Sequence, residues 1–143
     1  MLDLKHFQEA KKRVDEVIIP TPLIYSEAFS KECKNQVYIK PENLQRTGAF
    51  KIRGAYNKIM KMDDESKSKG LIASSAGNHA QGVAYAASKL GVKATIVMPK
   101  HTPLIKVEAT EAHGAEVVLA GEVYDEAYQK ACDLQKEYGY TFV

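Results

Sequence analysis

The 143-residue chain contains no tryptophan, only two cysteines, no long apolar run and almost no excess of either charge. Each shortage removes a class of protein. Cys33 and Cys132 stand far apart and in no C-x-x-C spacing, so no disulfide framework is encoded and a reduced thiol pair in the cytoplasm is expected. His6, His79, His101 and His113 form no H-E-x-x-H or H-x-E group, and no metal is expected. No signal-like or membrane-spanning stretch follows Met1, which leaves no membrane partner to expect. Twenty basic residues against eighteen acidic ones leave +2, with the signs interleaved, so nothing points to nucleic acid either. The densest basic run, Lys11-Lys12-Arg13, lies between Glu9 and Asp15 and reads as a solvated helix face. Hydrophobic residues make up 45% of the chain, enough for one domain whose core needs no covalent staple.

From Lys69 onward, short β-type runs alternate with longer helical ones, the pattern of parallel β/α units. Leu71 to Ser74 predicts a strand, His79 to Leu90 an alanine-rich helix stopped by Gly91, and Ala94 to Met98 a strand closed by Pro99. Thr102 is expected to cap a helix with Pro103 at its first position; Leu104, Val107 and His113 fall within it, and Gly114 ends it. Glu116 to Leu119 is the next strand. Val123, Ala127, Ala131, Leu134 and Tyr138 then recur at helical spacing and predict the buried stripe of a helix ending at Gly139. Tyr140 to Val143 begins another strand, so the chain is expected to stop inside its architecture. Ahead of this regular part, Leu4, Phe7, Ala10 and Val14 suit an amphipathic helix, Pro20-Thr21-Pro22 an extended segment, and Gln36 to Lys40 a strand. The fold class expected is α/β, a three-layer open parallel twisted sheet with flanking helices.

Two segments are too rich in small residues to be scaffold alone, Arg46 to Ala55 and Ser74 to Gly82. The second directly follows a parallel strand, at the carboxyl end where open α/β sheets bind ligands. Gly77 and Gly82 have P-loop separation, but Val83 stands where that motif needs lysine, and G-x-G-x-x-G is absent. What remains is a turn whose backbone N–H groups from Ser75 to His79 could cradle a carboxylate; the alternative is a helix capped by Ser74 or Ser75. In the first segment, Lys51 opens a helix. A helix N-terminus disfavours a cation by about 0.3 to 1 kcal/mol, which suits an amine that must act uncharged as a nucleophile or base. The alternative is a solvated surface lysine.

The run from Glu42 to Ala55, the run Ser75-Ala76-Gly77-Asn78-His79-Ala80-Gln81-Gly82 and the opening Pro20-Thr21-Pro22-Leu23 together resemble the pyridoxal-phosphate enzymes of the tryptophan-synthase-β superfamily. Within it they resemble the serine/threonine dehydratase branch, the threonine deaminases, over the whole chain. The resemblance implies that Lys51 holds pyridoxal 5'-phosphate through its amine and serves as the catalytic base. It implies that Phe50 packs on the pyridine ring and that Asn78 hydrogen-bonds the ring hydroxyl. Ser75, Ala76, Gly77, Asn78 and His79 would hold the substrate carboxylate, with Thr47 and Gly48 shaping the approach and His79 positioning rather than exchanging protons. The reaction implied is loss of water from L-threonine to give 2-oxobutanoate and ammonia, with L-serine giving pyruvate.

Sulfhydrylases and threonine synthases of the superfamily usually carry Gly-Asn-Thr and a Lys-Asp pair, where this chain has Gly77-Asn78-His79 and Lys51-Ile52. Serine racemases carry a serine before the loop glycine as the acid on the opposite face, and here that position is Ala76. By the same resemblance the phosphate cup and the partner of the pyridine nitrogen lie beyond Val143. Residues 1–46 would then pack on a larger domain, residues 47–143 would form the small lysine-bearing domain, and the full-length enzyme would be a homo-oligomer. The isolated chain is expected to have little activity; a non-catalytic scaffold domain is the alternative from another class.

Overall fold

Leu71, Ile72, Ala73 and Ser74 are all buried, and a run buried on both faces is what a parallel strand sandwiched between helices requires. The computed structural model describes all 143 residues and places that strand, β3 (Leu71–Ser74), inside a four-stranded parallel sheet. Its companions are β4 (Ala94–Met98), β5 (Glu116–Leu119) and β6 (Thr141–Phe142), in the order β5-β4-β3-β6. The connecting helices are α5 (Asn78–Lys89), α6 (Leu104–Glu111) and α7 (Tyr124–Tyr138). Helix α3 (Lys51–Met60) precedes the sheet and a short α4 (Asp64–Ser68) leads into β3.

Side chains divide by strand parity. Leu71, Ala73, Ile96 and Met98 join the larger core with Ile52, Ile59, Val83, Ala87 and Val107 from α3, α5 and α6. Ile72 and Val97 face the other way, onto Ala127 and Ala131 of α7. The molecule therefore has the three layers expected. The chain steps outward from β3 to β4 and β5 on one face and returns on the other to β6, so the strand order reverses at β3, whose carboxyl end is a ligand position in such sheets.

Ahead of the sheet lie α1 (Leu4–Val14), α2 (Glu27–Cys33), a 3-10 turn (Glu42–Leu44) and a small antiparallel pair, β1 (Ile24–Tyr25) with β2 (Tyr38–Ile39). Only Val14 of α1 is buried; Leu4 and Phe7, on the predicted apolar stripe, stay exposed because nothing in this chain covers them. The strand expected over 36–40 shortens to Tyr38–Ile39. Its partner β1 and the helices α2 and α4 carry no long periodic pattern; Ser26 and Asp63 cap those two helices through their side chains.

Several boundaries differ from the sequence expectation. The Thr102 hydroxyl donates to Pro99 O at 2.7 Å to close the turn after β4, so it does not cap α6; Pro103 occupies the cap position and Leu104 begins the helix. His113 lies past the end of α6, in the turn closed by Gly114 at φ +90°. Of the stripe on α7, Ala127 and Ala131 are fully buried and Leu134 packs at the margin, while Val123 and Tyr138 are exposed. Length explains this: fifteen helical residues rise about 22 Å, strands of four or five residues only about 13 to 17 Å, and the helix ends overhang the sheet.

Candidate active site

Lys51 is the first residue of α3, as its sequence implies, and Phe50 occupies the cap position without any side-chain cap bond. The two helices that carry the motifs touch here. A Cβ built on Gly82 of α5 would lie 3.1 Å from Lys51 C and 3.2 Å from Ile52 N, so only glycine lets α5 press against the backbone at the start of α3. Glycine inside a helix costs about 1 kcal/mol relative to alanine. That cost is the signal in the sequence by which Gly82 could be found, and what it secures is the close contact of the Lys51 backbone with α5.

The Lys51 amine makes no ion pair; Nζ lies 5.3 Å from the centroid of the Phe50 ring, and both side chains are exposed. Phe50, assigned by resemblance to the cofactor ring, thus presents an open aromatic face beside the amine. Thr47 is buried, its hydroxyl 3.4 Å from Ala49 O, and Gly48 adopts φ +65° with open space where a Cβ would stand.

The second motif forms the turn between β3 and α5. Asn78 is exposed; Ser75, Ala76, Gly77 and His79 are half-buried. Gly77 occupies the cap position with no side-chain cap, so neither Ser74 nor Ser75 caps the helix in the manner weighed from sequence. Not all five amides are free. Ser75 N donates to Val97 O at 3.1 Å, because the parallel ladder runs one residue past β3, and Gly77 N donates to Ser75 Oγ at 3.3 Å. The first helical bond runs from Gln81 N to Gly77 O, so the amides of Asn78, His79 and Ala80 have no acceptor within the helix. His79 Nε2 lies 3.3 Å from Val143 O, just past the end of β6. A Cβ on Gly77 would meet nothing within 4 Å, so the space over this turn is open.

A set of residues that sequence reasoning quoted but gave no role anchors the lysine segment. Arg53 Nε and Nη2 donate to Glu42 Oε2 and Oε1, both at 2.8 Å, and the Thr21 hydroxyl donates to Glu42 Oε1 at 2.6 Å. The Arg53 bonds, with those of Thr21 and the charge of Lys40, outweigh burial and hold the Glu42 carboxyl at a pKa of about 2. Gln45 pairs with the backbone of Ile19 through both amide atoms, at 2.7 and 2.9 Å, and Arg46 Nε donates to Val17 O at 2.9 Å. These bonds tie residues 17–21 to the loop that enters α3.

Residues 14–143 match the model of a family described as pyridoxal-phosphate dependent enzyme. The chain belongs to that family. Among its curated relatives is the L-threonine ammonia-lyase of Thermotoga maritima, 48% identical over the whole of this chain and 36% of its own length. Among solved structures, maize serine racemase superposes with a TM-score of 0.91 at 34% identity, covering 99% of this chain and 43% of that one. The processed form of threonine deaminase isoform 2 from Solanum lycopersicum follows with 0.87 at 40% identity, covering 99% and 40%. The chain spans little more than a third of the curated relative it matches. The family's cofactor fits what these residues offer: an unpaired primary amine for an aldehyde, an exposed carboxamide at Asn78, free amides, and open space over Gly48 and Gly77.

Proposed function

We propose that this chain is the lysine-bearing part of a pyridoxal-phosphate-dependent lyase that removes water from L-threonine, and also from L-serine, releasing 2-oxobutanoate or pyruvate with ammonia. The observation that carries the reading is the unpaired Lys51 amine at the first position of α3, seated by Gly82 against the helix whose first turn leaves its amides free. The name of the Thermotoga maritima relative and the likeness to the tomato threonine deaminase support the substrate.

Pyridoxal phosphate, when bound, supplies an electrophilic aldehyde and a ring that spreads the charge left at the α-carbon. Lys51 would hold the cofactor through its amine. As a free amine, the Lys51 nitrogen would accept the substrate's α-proton, a general-base role that contributes typically 10²- to 10⁴-fold. The amides of Asn78 and His79 and the Ser75 side chain orient the substrate carboxylate, and the positive end of α5 favours that charge. The Asn78 carboxamide and the Phe50 ring would hold the cofactor's ring. Ala76 stands where the resemblance puts the racemases' acid, and its methyl group cannot return a proton there. Elimination is favoured over racemisation on that ground, despite the likeness to serine racemase.

Residues 1–46 are assigned to the larger remainder of the enzyme and 47–143 to the small domain, with most phosphate donors outside this chain. The chain alone then shows little turnover. In the whole protein, Lys51→Ala should abolish oxo-acid formation from L-threonine, and chiral chromatography should find little D-serine made from L-serine. Undiminished oxo-acid in that variant would overturn the assignment. A visible absorbance band on adding the cofactor to the isolated chain, lost in Lys51→Ala, separates a competent half-site from an inert scaffold.

A further inference from the structure

At the opposite end of the sheet from Lys51, the starts of all four parallel strands surround a depression of about 190 Å³. Its polar lining comes from Ser68, Lys69, Lys93, Thr95, Glu116 and Tyr140. Strand geometry puts the central three on one face. Thr95 and Glu116 are register partners across β4 and β5, so their side chains leave the sheet on the same side, and Lys93, two residues before Thr95, shares that side. Tyr140 packs with the cluster beneath α7, which identifies this as the α7 side.

Lys69 is already engaged by Glu65 at 2.6 Å, whereas Lys93 and Glu116, both exposed, line the same hollow and form no ion pair with each other or with any other residue. Thr95 is only 6% exposed, and its hydroxyl takes part in none of the chain's side-chain hydrogen bonds. An unpaired cation, an unpaired anion and an unpartnered hydroxyl around one hollow complement a molecule that carries both charges. We infer that this hollow binds a small zwitterionic α-amino acid, its carboxylate toward Lys93, its ammonium toward Glu116 and its α-carbon region over Thr95. The Tyr140 ring walls one side; a Cβ on Gly70 would lie 3.3 Å from that ring, so glycine at 70 is needed to keep it in place. A hollow of about 190 Å³ is the scale of a small amino acid rather than of a nucleotide or a peptide. Because the hollow is at the far end of the strands, its occupation does not compete with a ligand at the Ser75–His79 turn, and the inference stands apart from the proposed reaction.

The test is an amide-resolved NMR titration of the cofactor-free chain with L-alanine, with acetate and methylammonium as single-charge probes. Saturable shifts at Gly70, Lys93, Thr95 and Glu116 are expected with L-alanine, with affinity lower by at least about tenfold for either single-charge probe. Lys93→Met and Glu116→Gln, both at exposed positions, should each weaken L-alanine by a similar factor while leaving the dispersion of the spectrum intact. Acetate binding as tightly as L-alanine, shifts confined to the Ser75–His79 turn, or no shift at these residues would overturn the inference.

Discussion

The chemistry assigned to Lys51 depends on residues that never meet the reactants. Glu42 is the clearest, since its carboxylate takes both arms of the Arg53 fork and the Thr21 hydroxyl, fastening the entry loop to the helix that starts with the lysine. Its folded pKa, about 2, lies below the ordinary 4.5, so the folded state binds this proton less readily than the unfolded chain. Its contribution is therefore complete above about pH 4.5 and fades as pH falls toward 2. Glu42→Gln should lower stability by about 1 to 3 kcal/mol at neutral pH, and urea melts between pH 6 and about 2 should show the gap from the parent chain closing. Ser74 carries the opposite lesson. Its buried hydroxyl has no hydrogen-bond partner, so Ser74→Ala should stabilise the fold by about 1 kcal/mol, read as a higher urea midpoint at unchanged slope.

Among the elements, the contact of α3 with α5 is the one on which the site turns. Gly82→Ala puts a methyl group about 3.1 Å from backbone atoms that cannot rotate away, so the helices must part by a few tenths of an ångström. The gain in helix propensity, about 1 kcal/mol, offsets only part of an overpacking cost of about 1 to 3 kcal/mol. A modest net loss of stability is expected in chemical denaturation, together with a larger loss of cofactor-dependent absorbance, because the start of α3 carries the amine. The positions of β3, β4, β5 and α5 were legible in the alternation of apolar runs, since strands buried on both faces and an alanine-rich helix leave strong local patterns. The start of α6 was not, because the Thr102 hydroxyl can either accept from a helix amide as a cap or donate to a nearby carbonyl, and only the geometry of the turn after β4 selects Pro99 O. Nor was the loss of the Ser75 amide from the carboxylate turn, since it is taken by Val97, a partner on another strand.

For the molecule as a whole, large side chains remain uncovered on the amino-terminal part, among them Leu2, Leu4 and Phe7 on and beside α1 and Ile24, Tyr25 and Tyr38 on the small β pair. Exposed apolar patches of this kind drive association. Concentration-dependent self-association is expected in sedimentation velocity, reduced by the pair Leu4→Glu and Phe7→Glu; equal behaviour of parent and variant would assign association to another face. The sequence by itself determined the parallel α/β architecture, the lysine at a helix start and the asparagine turn after a strand, because these rest on short-range periodicity and on small residues placed where a backbone must turn. Only the tertiary structure decided which amides stay free, why Gly82 is needed, and that Glu42 and Gln45 serve as anchors. Those depend on partners many residues away, brought within hydrogen-bond reach when the layers close, and no local pattern records a distance across them.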